Sequence, residues 1–201
     1  MPQDLAILLL AAGASSRMRG GDKLLEDISG RPLLTHLIRE ARATTLPVWV
    51  TLPALDHPRA AAASDARRVV VPDAAEGMAA SIRRGVAALP ATTQGVLLLP
   101  ADMPELTCDS FLALADRFDG PEGPILRATG TDADGEIRPG HPVLFPHRCF
   151  AALTALRGDT GARAVLQGER VQLVPLPAAQ ALTDLDTPEA WSAWRHRQSQ
   201  T

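Results

Sequence analysis

At 201 residues, with 46% hydrophobic and 21% charged side chains, the chain is long enough for a sizeable buried core and is composed like a folded domain. That excludes a disulfide-stapled miniprotein and a disordered or collagen-like chain. A formal net charge of −3, no long run of Lys or Arg, only 3% aromatics and no Tyr argue against a nucleic-acid partner, since neither phosphate attraction nor base stacking is provided for.

Length points to one domain, or at most two small ones. Cys108 and Cys149 stand far apart without metal-spaced neighbours and read as buried fillers. The longest apolar stretch, Leu5 to Ala14, is too short to span a bilayer and follows Asp4 rather than a basic region. No membrane anchor or signal peptide is expected, and the cytoplasm is the default location.

Leu5 to Leu10 is a continuous apolar run, as in a strand buried on both faces, and it ends in Ala11-Ala12-Gly13. From Pro32, the residues Leu33, Leu34, Leu37, Ile38 and Ala41 recur at helical spacing, and Pro47 closes the segment before Val48-Trp49-Val50. The rhythm repeats, with Val69 to Val71 as a strand, Met78 to Leu89 as a helix and Val96 to Leu99 as a strand. Phe111, Leu114, Ala115 and Phe118 mark one face of a further helix. Such alternation predicts an α/β fold with a mostly parallel sheet and helices on both faces.

After Gly120 the pattern loosens. Gly130 to Gly140 is polar and rich in Gly and Asp, and Pro142 to Phe145 is strand-like, so an inserted substrate-side region is expected here. Val171 to Val174 suits a strand. Thr187-Pro188-Glu189 supplies an N-cap, a proline at the first helical position and an early acid for a last helix that buries Trp191 and Trp194. No internal repeat, low-complexity tract or linker divides the chain.

Ligands in open α/β sheets sit beyond the carboxyl ends of the strands. After the first strand runs Gly13-Ala14-Ser15-Ser16-Arg17-Met18-Arg19-Gly20-Gly21-Asp22-Lys23, whose small residues, exposed amides and two cations suit a polyphosphate. It is neither a Walker loop nor a dinucleotide fingerprint, and the same composition fits an ordinary surface turn. After the fourth strand, Asp102 stands between Pro100 and Pro104, placed to bind Mg²⁺, which takes one or two protein carboxylates and fills its shell with water and phosphate oxygens. A turn aspartate bonded to nearby amides is the other reading. Asp186 is a second candidate for the same ion, ahead of Asp184, with helix capping as its alternative.

These segments carry a resemblance. Leu10-Ala11-Ala12-Gly13 through Arg17-Met18 to Lys23-Leu24-Leu25 resembles the signature loop of nucleotidyltransferases that make molybdenum cofactor dinucleotides. Gly77-Met78-Ala79-Ala80-Ser81-Ile82, Leu98 to Pro104, Gly140-His141-Pro142-Val143-Leu144-Phe145, Gly158-Asp159-Thr160-Gly161-Ala162-Arg163 and Asp184 to Glu189 resemble its further blocks in the same order. Within the family the cytidylyltransferase subgroup is the nearer match, because Ala12 stands where guanylyltransferases usually carry glycine and its methyl would narrow the base pocket. The spacing from Arg17 to Lys23 is one residue longer than the commonest family form, so Arg19 and Asp22 have no role carried over.

The resemblance implies a single-domain Rossmann-like nucleotidyltransferase fold of the GT-A-like kind over 1–201, with 1–105 as nucleotide-binding half and 106–201 as pterin or acceptor half. It implies that Ala11, Ala12, Gly13 and Ala14 pass close to the nucleotide, that Arg17 and Lys23 bind its phosphates, and that Ser81 holds base or ribose. Asp102 and Asp186 would hold Mg²⁺. His141 and Asp159 would face the pterin phosphate, with His141 equally readable as a packed turn residue, while His36, His57, His147 and His196 read as surface or cap residues.

The implied reaction is attack by the terminal phosphate of molybdopterin on the α-phosphorus of CTP, with Arg17, Lys23 and Asp102 as the catalytic set. The product would pass to a recipient molybdoenzyme or its chaperone. The alternatives are guanylyl transfer, cytidylyl transfer to another phosphorylated acceptor, and a non-catalytic cofactor-binding or chaperone module. Arg17, Lys23, Asp102 and Asp186 together weigh against the last of these.

Overall fold

The apolar run Leu5–Leu10 forms strand β1, central in the sheet and buried along nearly its whole length because a core covers each of its faces. Its neighbours are β4 (Val48–Leu52) and β6 (Gly95–Pro100), both parallel to it. The computed structural model describes residues 4–199. A two-residue ribbon, β2 (Asp27–Ile28) with β3 (Arg31–Pro32), stands apart from the main sheet.

The remaining strands are β5 (Arg67–Val70), β7 (Ile125–Thr131), β8 (Ile137–Pro146) and β9 (Val171–Pro175). The seven-stranded sheet runs β5-β4-β1-β6-β8-β7-β9, and every pairing is parallel except those of β8 with β6 and β7. The mostly parallel α/β sheet expected from the sequence is therefore present.

Alternation along β1 divides the interior. Ile7 and Leu9 point into a core shared with α1 (Leu33–Ala43), α4 (Cys108–Ala115) and α6 (Pro188–Gln198). Ala6 and Leu8 point into the opposite core, under α3 (Met78–Ala87) and α5 (Phe150–Thr154). A short α2 (Arg59–Ala62) follows β4. Helix α1 buries Leu33, Leu34, Leu37, Ile38 and Ala41, the stripe its spacing predicts. Thr187 caps α6 by accepting a bond from the Ala190 amide at 3.2 Å, with Pro188 at the first turn.

Four expectations need correction. The helix from Met78 stops at Ala87, and α4 stops at Ala115, leaving Phe118 buried in the loop that follows. Residues 130–140 are not an insertion set off from the sheet but the tip of the β7–β8 hairpin. Their polarity comes from a turn reaching into solvent, where Asp132 accepts bonds from the amides of Asp134 and Glu136. Of the two cysteines, Cys149 is buried, whereas Cys108 is only half-buried at the start of α4.

Candidate active site

The segment after β1 does not continue the ladder, because its small residues turn at the carboxyl edge of the sheet. The amides of residues 12–15 donate no hydrogen bond among the described residues, so a row of donors stands open on the loop. The longer spacing between Arg17 and Lys23 is absorbed by a turn in which Arg19 and Gly20 have positive φ, 53° and 98°. Arg19 leaves this turn outward to pair with Glu189 at 2.6 Å. Asp22 accepts a bond from the Leu24 amide at 3.0 Å and so caps the single turn that presents Lys23.

Lys23 points across the sheet edge. Its ammonium bonds Oδ2 of Asp102, just past the end of β6, and Oδ1 of Asp186, just before α6. Arg17 reaches the other oxygen of Asp186 at 2.7 Å. Burial works against the charge on Lys23, but Asp102 and Asp186 outweigh it and hold the ammonium above its usual range. Oδ1 of Asp102 is buried and has no hydrogen-bond partner among the described residues. Asp184 also lines this edge, and burial, then repulsion by Asp102 and Asp186, raise its carboxyl pKa.

A cavity of about 670 Å³ opens here, in the size range of small-molecule sites. Ala11, Gly13, Ala14, Arg17, Lys23, Ser81, Asp102, His141, Asp159 and Asp186 all line it, so ten of the sequence candidates converge. Ala12 does not. Its methyl is buried with Val71 and Ala80, so it bears on the cavity only through the position of α3, not as a direct wall.

Two backbone approaches assemble the far wall. Gly77, at φ +121°, lies so close to Asp159 that a Cβ there would collide with its carboxylate, and the Ala79 amide bonds the Gly158 carbonyl at 3.1 Å. Residues 158–159 thus dock on the start of α3, which carries Ser81. A Cβ at Gly140 would collide with the Ala181 carbonyl. His141 is half-buried with Nδ1 unpartnered, and burial, then Arg127, push its pKa down to about 4, so the ring is neutral. His57 caps α2 by accepting from the Arg59 amide, and His147 Nδ1 bonds the Thr93 carbonyl.

Sequence reasoning missed two arginines. Arg127, on β7, lines the cavity and has no carboxylate partner among the described residues. Arg59, on α2, is buried behind the loop and bonds Asp22, Ser15 and two loop carbonyls. Arg127 could have been suspected as a lone cation inside an apolar strand. Nothing local marks Arg59.

An α/β domain that sets an amide-rich cationic loop against carboxylates at the sheet's carboxyl edge is built to handle a phosphoanhydride, and this one is a nucleotidyltransferase enzyme. Residues 7–175 match the model of the MobA-like NTP transferase domain, and the chain belongs to that family. A molybdenum cofactor guanylyltransferase of Pseudomonas aeruginosa is 34% identical over 191 residues, covering 92% of this chain and 91% of that protein. The bifunctional protein GlmU of Rhodococcus opacus is 32% identical over 161 residues, 73% of this chain, and the chain spans only about a third (32%) of that relative's length. Among solved structures, Rv0371c of Mycobacterium tuberculosis superposes with a TM-score of 0.79 at 25% identity, over 96% of this chain and 98% of that one. The same protein has been solved in complex with manganese, with a TM-score of 0.76 at 23% identity over 94% and 96% of the two chains.

Proposed function

We propose that the chain transfers a cytidylyl group from CTP to the terminal phosphate of molybdopterin, releasing pyrophosphate and forming molybdopterin cytosine dinucleotide. The observation that carries the transfer chemistry is the convergence of Lys23 and Arg17 with Asp102 and Asp186 on one cavity beside a row of open amides. The acceptor is supported by the Pseudomonas relative, matched along nearly its whole length, and by His141 and Asp159 lying in the same cavity. Residues 1–105 then form the nucleotide half and 106–201 the acceptor half.

The attacking phosphate oxygen bonds the α-phosphorus as the bond to the leaving pyrophosphate breaks. The attacking group is already ionised near neutral pH, so no strong general base is needed. The open amides and Arg17 hold the triphosphate, Lys23 shifts from the carboxylates to the phosphates, and Ser81 meets the base or ribose. The work is positioning two anions together and offsetting the charge that develops.

Asp102 and Asp186 fit a divalent ion, Mg²⁺ in this proposal. The orphaned Oδ1 of Asp102 is a ready ligand, and the ammonium of Lys23 already draws both carboxylates onto one point. Two carboxylates are enough for Mg²⁺, which completes its shell with water and phosphate oxygens; among the described residues there is no group of three or more His, Cys, Asp or Glu that could hold a metal. When bound, the ion supplies charge neutralisation on the triphosphate.

The CTP assignment rests on the cytidylyltransferase resemblance at Ala12. The 34% identity to a guanylyltransferase favours GTP as the second reading. Incubation with molybdopterin, Mg²⁺ and each ribonucleoside triphosphate, with pyrophosphate and dinucleotide measured, tests both; no product from any triphosphate removes the acceptor. No helix among the described residues is long and apolar enough to cross a membrane, and we place the reaction in the cytoplasm, with a molybdoenzyme or its chaperone receiving the product.

A further inference from the structure

Arg59 is 2% exposed, and a guanidinium that deeply buried is costly unless every donor is met. Here all five donors are spent on one segment. Nε and Nη2 fork onto the two oxygens of Asp22 at 2.7 and 2.8 Å. Nη1 bonds the carbonyls of Ala11 and Gly13 at 2.6 and 2.7 Å, and Nη2 also bonds Ser15 Oγ at 2.8 Å. Arg59 is not among the residues lining the cavity, so it acts on a ligand only through others.

Two consequences follow from covalent geometry and capping. In a trans peptide the carbonyl and the next amide N–H point in opposite directions. The only cis peptide among the described residues is His141–Pro142. Drawing the carbonyls of Ala11 and Gly13 inward onto the guanidinium therefore turns the amides of Ala12 and Ala14 outward, and these are two of the open donors. At the other end of the loop, Asp22 caps the turn that carries Lys23, so fixing Asp22 fixes the base of the lysine.

We infer that Arg59 is a positioning residue, which holds the phosphate loop in its anion-binding shape before nucleotide arrives. The inference rests on the loop as the triphosphate wall and is independent of the acceptor. A clamp of this kind lowers the ordering cost of binding, and it does so for any base, because it touches only the part that meets phosphate.

The test compares wild type with Arg59→Met, Arg59→Lys and Arg59→Met/Asp22→Asn. Thermal melts are followed by circular dichroism, and calorimetric titrations use non-hydrolysable CTP and GTP analogues. Arg59→Met is expected to melt lower and to bind both analogues about 10–100-fold more weakly, with their ratio unchanged. Removing the stranded Asp22 charge in the double variant restores most of the melting temperature but not the affinity, because the two carbonyls remain untethered. Arg59→Lys falls between, since an ammonium can keep the Asp22 pair but not the fork.

In nucleotide-free protein, the Leu24 amide exchanges faster in Arg59→Met than in wild type. Wild-type affinity in Arg59→Met, affinity that returns together with the melting temperature, or a double variant that does not fold would each make Arg59 purely structural. Failure of wild type to bind either analogue would overturn the loop assignment itself, and the clamp's role with it.

Discussion

Lys23 bonds Asp102 across 79 residues of sequence and, with the same ammonium, Asp186. The lysine thereby occupies the point where the two carboxylates converge, and in the proposed reaction a triphosphate would offer it an anionic partner elsewhere. Asp102→Ala is expected to abolish turnover with the fold intact, because Lys23 keeps Asp186 and no buried cation is left alone. The stability cost should stay near 1–3 kcal/mol, the worth of one charged hydrogen bond. Pyrophosphate release and a thermal melt read the two halves; normal turnover would take Asp102 out of the chemistry, and an unfolded variant would make it structural.

Between the two loop cations the lysine should matter more. Its side chain is 18% exposed against 69% for Arg17, so its charge is less screened, although a guanidinium can bridge two phosphate oxygens. Lys23→Ala also leaves Asp102 and Asp186 facing each other without an intervening cation. Triphosphate affinity is expected to fall further in Lys23→Ala than in Arg17→Ala, each by about 1–3 kcal/mol. Isothermal titration with a CTP analogue ranks them, and unchanged affinity in both would return the loop to an ordinary turn.

Which parts were legible in the sequence has a physical pattern. Asp102 could be found because it directly follows a strand whose apolar run is unmistakable, and Lys23 because it closes the glycine-rich loop that leaves another such strand; sheet edges are where ligands gather. Arg59 could not, because α2 has only four residues, too few for any periodicity, and its partners lie 37 to 48 residues away. The β7–β8 hairpin is hard to read from sequence because Ile137 to Pro139, which pair with β7, are exposed, so the first three residues of a ten-residue strand carry no buried-strand signal. Ala12 was placed in the right loop, but a one-dimensional reading cannot tell that its methyl turns toward Val71 and Ala80.

His141 sets a pH dependence of stability. Its folded pKa is pushed from 6.5 down to about 4, by burial first and Arg127 second. Between those values the unfolded chain takes up a proton that the folded chain refuses. The contribution is therefore fully present above pH 6.5 and is lost as pH falls toward 4, by up to about 3 kcal/mol. Urea melts of wild type and His141→Asn from pH 7 to pH 4 should show a slope in the former that flattens in the latter. Equal slopes would show that other groups carry it.

In the proposed reaction Arg127 lies on the acceptor side. It sits half-buried in the cavity wall, among the described residues with only the Gly140 and Pro139 carbonyls as partners, at 3.2 and 3.3 Å, and burial together with Arg163 disfavours its charge. An anionic acceptor would relieve that strain on the site, whereas in the proposed reading the loop across the cavity holds the triphosphate. Arg127→Met is expected to raise the acceptor KM about tenfold, the effect of losing one partly shielded charge contact, and to leave CTP-analogue affinity unchanged. Steady-state rates with molybdopterin varied at saturating CTP measure it. A change in nucleotide affinity alone would move Arg127 to the other half of the site.

If Ser81 meets the base as proposed, base choice is decided around α3. Ala12 packs on Ala80, the residue directly before Ser81, so its methyl sets how the loop and the start of α3 sit against each other instead of filling the base pocket itself. If the cytidylyltransferase resemblance holds, wild type prefers CTP over GTP, and Ala12→Gly reduces that preference by letting α3 shift. Even a methyl acting directly in a pocket is worth only about 1–3 kcal/mol, and one acting through a helix should fall at the lower end. The expected result is partial relaxation, with the fold retained because a single methyl is lost from the small cluster Ala12 forms with Val71, Ala74 and Ala80. Competition between the two triphosphates over one molybdopterin preparation reads the ratio. A wild-type preference for GTP would overturn the cytidylyl assignment, bring the chain into line with its Pseudomonas relative and leave nucleotidyl transfer standing.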